Sequence, residues 1–130
     1  MMRTIIILIL GIVTLSLVAC QQNELFDETI TSIKVEQWES DEEMSTITDE
    51  SLINDLTAEL ESANTASTAN IDITHPDYRL LFLNGDRVVR ELGYYSEEKN
   101  FNGTTGRFID MDEGKHYGVT TELPLNNNNE

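Results

Sequence analysis

From Ile5 to Ala19 the chain is apolar at almost every position and carries no charge, and at Cys20 it turns at once into the polar run Gln21, Gln22, Asn23 and Glu24. A membrane-spanning helix needs roughly 20 apolar residues. This shorter run, preceded by the single cation Arg3, has the length and flanks of a secretory h-region rather than of a stop-transfer segment. The competing reading, an uncleaved anchor helix with an incidental cysteine, is disfavoured on both counts. Any folded domain must then be built from residue 20 onward, and Cys20 is the only cysteine of the chain. No disulfide can staple that domain, although the h-region sends it out of the cytoplasm. Stability has to come from an ordinary apolar core. The 111 residues that remain when 19 are taken from 130 supply one domain, not two.

The four residues Leu17-Val18-Ala19-Cys20 resemble the bacterial lipobox, with an apolar residue three before the cysteine and a small one just before it. The residue types reflect the chemistry. The thiol must be free at the membrane face to accept a diacylglyceryl group as a thioether, and the residue before it must fit the pocket of the signal peptidase. The resemblance implies that residues 1–19 are a cleaved lipoprotein signal peptide and that Cys20 becomes a lipidated N-terminus whose new amine is open to acylation. One acyl chain anchors marginally and two anchor stably. The implied location is the extracytoplasmic face of the cell membrane, and residues 20–29, polar and aperiodic, read as lipidated N-terminus and tether.

Charge narrows the function classes. Of the 8 basic residues only Arg3 precedes Cys20, and none of the 24 acidic residues does, so removing one cation takes the formal charge from −16 to −17. Such a surface repels nucleic acid and anionic lipid alike. Nucleic-acid partners are excluded on this ground, and attachment to the membrane is left to the lipid on Cys20.

The remainder reads as one domain over residues 30–122, with a disordered tail over 123–130. Ile33, Val35 and Gln37 alternate with Lys34, Glu36 and Trp38, the period-two pattern of a half-buried strand. Asp41-Glu42-Glu43 reads as a solvated turn, and Met44 to Ile47 as a short strand or the lead into a helix. Thr48 is the expected helix N-cap, with Asp49 and Glu50 in the first turn and Ile47 and Leu52 at the spacing of a hydrophobic staple. Leu52, Ile53, Leu56, Leu60 and Ala63 then share one helical face. Ser62 to Asn70 reads as a flexible loop. Tyr78 to Leu83 and Asp86 to Tyr95 form the strongest hairpin signal, turned by Asn84-Gly85. Ser96 to Gly106 reads as a loop, and Arg107–Met111 with His116–Thr121 as a second hairpin around residues 112–115. The expected fold is α+β: an antiparallel sheet of about four to five strands packed on one α-helix, with Leu80, Phe82, Val88, Leu92, Phe108 and Val119 on the sheet side.

The order of an Ile33-Lys34-Val35 strand, an acidic-capped helix, Pro76-Asp77-Tyr78-Arg79-Leu80 entering a hairpin and Gly106-Arg107-Phe108 leading to Tyr117 resembles the YhfM-like domain of small Gram-positive lipoproteins. The resemblance covers nearly the whole domain and implies its fold and extracytoplasmic location. It brings no established activity.

Candidate chemistry is sparse. Asp110, Asp112 and Glu113 faintly resemble a calcium loop, but the fifth, sixth and twelfth positions counted from Asp110 are Gly114, Lys115 and Thr121, which fails the ligand pattern. His75 and His116 have no metal-ligand spacing. There is no Gly-x-Ser-x-Gly elbow, no glycine-rich phosphate loop and no cysteine left to act as nucleophile. No catalytic residue, cofactor or metal ligand is therefore assigned, and the domain is not expected to be an enzyme. Trp38, Tyr78, Tyr94 and Tyr95 either pack in the core and across strands or, if exposed together, anchor a partner. Arg79, Arg87 and Arg90 are expected to neutralise neighbouring carboxylates. Two function classes remain, a non-catalytic binding or accessory module facing an envelope partner, and a small envelope enzyme or divalent-cation binder.

Overall fold

The computed structural model describes residues 23–125. The expected signal peptide, Cys20 and the polyasparagine tail beyond 125 lie outside the described residues. Seven strands and one α-helix are found among the described residues: β1 (Ser32–Gln37), β2 (Glu43–Ile47), α1 (Glu50–Ser62), β3 (Thr65–Ser67), β4 (Tyr78–Asn84), β5 (Arg87–Phe101), β6 (Thr104–Asp110) and β7 (Lys115–Tyr117). The strands form one sheet in the order β2-β1-β4-β5-β6-β7-β3, and every pairing is antiparallel. The α+β layering is as expected, but the sheet has seven strands rather than four to five.

The strands beyond the expected five are β2, where Met44 to Ile47 is a strand and not a helix lead-in, and β3. Ser62 to Asn70, expected as a loop, contains β3, which pairs with β7 through Ala66 opposite His116. Its three residues offer one apolar side chain, too little for a period to show. Ser96 to Gly106, also expected as a loop, instead extends β5 and starts β6, because Phe101 pairs with Thr104 across Asn102-Gly103. Those two residues have φ of 53° and 90°, the paired positive angles of a type I′ hairpin turn. At the other hairpin Asn84 pairs with Arg87, and the positive angle falls on Gly85 alone, φ 58°.

The helix cap also moves by one residue. Asp49, not Thr48, is the N-cap: its carboxylate accepts the Leu52 amide at 3.2 Å, where an ionised side chain also meets the positive end of the helix dipole. Ile53, Leu56 and Leu60 are buried on the face the sequence marks, and Leu52 and Ala63 pack beside them. They meet Ile33 and Val35 of β1, Leu80 and Phe82 of β4, Leu92 and Tyr94 of β5, Phe108 and Tyr117. Val88, expected among these, is 51 % exposed. The register shift between Phe82 and Leu83 slips the hairpin by one residue there and turns Val88 to the other side.

Topology explains how both sheet faces are covered. α1 runs from the β2 edge to the β3 edge and covers one face. The connection from β3 back to the interior strand β4, residues 68–77, must recross the sheet, and it covers the opposite face. Pro76 is buried and fills the space a side chain on Gly93 would occupy. The Tyr95 hydroxyl donates to the Thr74 carbonyl at 2.6 Å, and the Asp77 amide donates to the Tyr94 carbonyl at 3.0 Å.

Both ends expected to be loose are in part packed. Residues 23–30 are not a free tether: Leu25 is 3 % exposed, Phe26 tilts against Phe82 at 4.9 Å, and Asn23 bonds the end of the helix. Leu123, placed in the tail, is 4 % exposed, and its amide donates to the Tyr94 hydroxyl at 3.0 Å. Chain approach is closest at Gly106, where a Cβ would stand 1.9 Å from the carbonyl oxygen of Tyr117. Replacing Gly106 with alanine forces two backbones apart and should cost at least ~3 kcal/mol in urea unfolding, against less than ~0.5 kcal/mol for Thr105→Ala on the exposed neighbour.

Candidate functional site

The four aromatic residues singled out from the sequence separate into two pairs. Tyr94 and Tyr95 are each 1 % exposed, on opposite faces of β5, and are excluded from any surface. Tyr94 packs with Phe108 at 5.2 Å and with its cross-strand partner Tyr78 at 6.2 Å. Tyr95 packs edge-on to Phe101 and has its hydroxyl pKa pushed up to about 12, chiefly by burial and then by the charge of Asp77. Trp38 and Tyr78 are half-buried and share one open groove.

That groove, about 480 Å³, is lined by Gln37, Trp38, Thr74, His75, Asp77 and Tyr78, among others. It forms where the end of β1 meets the segment recrossing the sheet, and the Trp38 amide donating to the Asp77 carbonyl at 3.2 Å joins the two. The indole is clasped. The His75 ring lies nearly parallel to it, 6.4 Å away at 23°, and the Arg79 guanidinium carbon sits 4.7 Å from its ring centre. Arg79 is itself fixed by Glu91 at 2.6 Å and by Asp41. Burial works to lower the guanidinium pKa, but the hydrogen bonds to Glu91 and Asp41 outweigh it, so the pKa is raised and the cation is secure. The result is a pre-positioned aromatic platform with an exposed imidazole and an exposed carboxylate at its rim. Such a surface offers apolar contact and hydrogen bonding to a partner. His75 is the residue that sequence reasoning sets aside too soon; its place after the recrossing loop emerges only once the strand order is known.

A larger hollow of about 650 Å³ lies between residues 24–30 and α1. Two of its carboxylates are already engaged, Glu28 with Arg87 and Glu61 with the Phe26 amide. The arginines do neutralise neighbouring acids: Arg79 and Arg87 as above, and Arg90 with Asp110 at 3.2 Å. Asp110, 4 % exposed, also accepts the amides of Asp112 and Glu113 at 3.0 Å, so it closes the β6–β7 turn. Among the described residues no three His, Cys, Asp or Glu side chains are grouped to hold a metal ion, and no helix is long and apolar enough to cross a membrane.

His116 occupies the other covered face. It is fully buried between Tyr95 and Phe101, with Nε2 3.0 Å from the Lys99 carbonyl and no hydrogen-bond partner at Nδ1 among the described residues. The bond to Lys99 puts the single proton of the neutral ring on Nε2. Burial lowers its pKa below 6.5, and the carbonyls of Lys99, then Phe108 and Thr104, work against that without satisfying Nδ1. Burial outweighs them, so the neutral ring is favoured in the folded state. Because the folded pKa is depressed, this ring's contribution to stability is full above 6.5 and is lost as pH falls through the folded value.

Urea unfolding of the native domain and of His116→Gln, which keeps a donor but cannot titrate, should therefore diverge below pH 6.5. The native protein loses up to about 1.4 kcal/mol per pH unit more than the variant, and parallel pH profiles would refute the assignment. No family model, curated protein or solved structure matches the chain, which leaves its own residues as the basis for a function.

Proposed function

We propose that this protein is an extracytoplasmic lipoprotein, anchored to the cell membrane through a diacylglyceryl thioether on Cys20, whose single domain is a non-catalytic binding or accessory module resembling the YhfM-like domains. The observation that carries the anchoring is the sequence Leu17-Val18-Ala19-Cys20 closing an apolar leader. A secreted domain with this charge has no electrostatic means of staying on an anionic bilayer, so the lipid supplies the attachment.

The binding role rests on the groove at Trp38. Its aromatic residues are held in place by neighbours rather than buried among them, and pre-organised aromatic anchors are where interfaces concentrate their energy. The partner in this reading is an envelope component that lays an apolar group on the rim formed by Trp38, His75 and Tyr78.

Two measurements test the proposal. Cys20→Ser should leave the protein as an uncleaved precursor or release it to the soluble fraction, and mature-sized protein retained in the membrane at the native level would refute anchoring. A photo-crosslinking residue at Glu39, beside the groove, should give a discrete adduct in host membranes that is absent when the same residue replaces Asp86. Identical patterns at the two positions would refute the groove as the binding surface.

A further inference from the structure

The end of α1 is tied to the beginning of the described chain. The last carbonyls of a helix have no partner within it. Here Asn23 supplies one, donating from Nδ2 to the carbonyls of Leu60 at 2.7 Å and Ala63 at 3.0 Å, while its amide donates to the Glu61 carbonyl at 2.8 Å. Three further contacts extend the hold: Leu25 is buried, its carbonyl accepts Arg90 Nε at 3.1 Å, and the Phe26 amide donates to Glu61 at 2.8 Å. The segment expected to be a leash is therefore part of the fold from residue 23 onward.

Only Gln21 and Gln22 separate Asn23 from Cys20. Three residue steps at full extension span about 10 Å. Resting on the lipid-anchored reading above, we infer that the domain is held directly against the headgroup layer of its anchoring bilayer, with the C-terminal turn of α1 as the contacting end. No basic residue lies in that turn, and Glu24, Glu59 and Glu61 surround it. The contact is imposed by the short covalent link and not by attraction to anionic lipid. This distinguishes it from adsorption of a basic surface, which salt would release.

The lipidated full chain, reconstituted in phosphatidylcholine vesicles carrying a short-range headgroup quencher, provides the test. A fluorophore at exposed Ser62, introduced as Ser62→Cys, should be strongly quenched and remain so at high salt. Inserting twelve Gly/Ser residues between Gln22 and Asn23 raises the typical reach to about 20 Å and should relieve the quenching at least about twofold. Asn23→Ala should relieve it in the same direction, with an unchanged circular-dichroism spectrum to show that the sheet is intact. Equal quenching with and without the insertion, or no quenching of native protein that floats with the vesicles, overturns the inference alone. Protein that does not float with the vesicles overturns the lipid-anchored reading and this inference with it.

Discussion

The structure depends on one apolar contact, the stripe Ile53, Leu56 and Leu60 laid across the inner face of the sheet. With no second cysteine there is no covalent alternative, so the folded state is held by area removed from water, at roughly 25 cal/mol per Å². The contact also orders the topology. The helix that makes it connects one sheet edge to the other, and the chain must then return over the opposite face to place β4 between β1 and β5. That return builds the groove, since Thr74, His75 and Asp77 belong to it and Trp38 meets them from the end of β1. The candidate binding surface is thus a consequence of how the sheet's second face is covered.

Electrostatics play a supporting part in a chain of charge −16. The arginines of β4 and β5 are spent on fixing structure: Arg79 braces Trp38, and Arg90 ties the Leu25 carbonyl to Asp110 and so joins the N-terminal segment to the β6–β7 turn. The pairs of Arg79 with the more exposed Asp41 and Glu91 contribute little individually, whereas Arg90 meets a buried carboxylate. Their value here is positional, since each joins segments distant in sequence.

Much of the architecture is legible in the sequence because it is local. The alternation around Ile33 and Val35, the helical stripe and the hairpin signal at Gly85 each fit within a dozen residues, although the turn falls on Gly85-Asp86, one residue later than expected. The elements that escape such a reading are of a different kind. β3 exists only because β7 offers it a partner, and the β5 extension requires Asn102-Gly103 to be read as a hairpin turn despite the polar residues before it. The same limit applies to the site. Tyr94 and Tyr95 are adjacent aromatics on one strand and therefore point to opposite faces, but the covering of both faces depends on a strand order no local pattern records. His75 and Trp38 lie far apart in the chain, and only that order brings them together.

The proposed lipid anchor on Cys20 is tested most directly by intact-mass spectrometry of protein extracted from host membranes. The expected species begins at Cys20 and carries the added mass of a diacylglyceryl group, with or without a further acyl chain on the amine. A membrane-extracted chain that still begins at Met1, or one that begins elsewhere with an unmodified sulfur at residue 20, would contradict it.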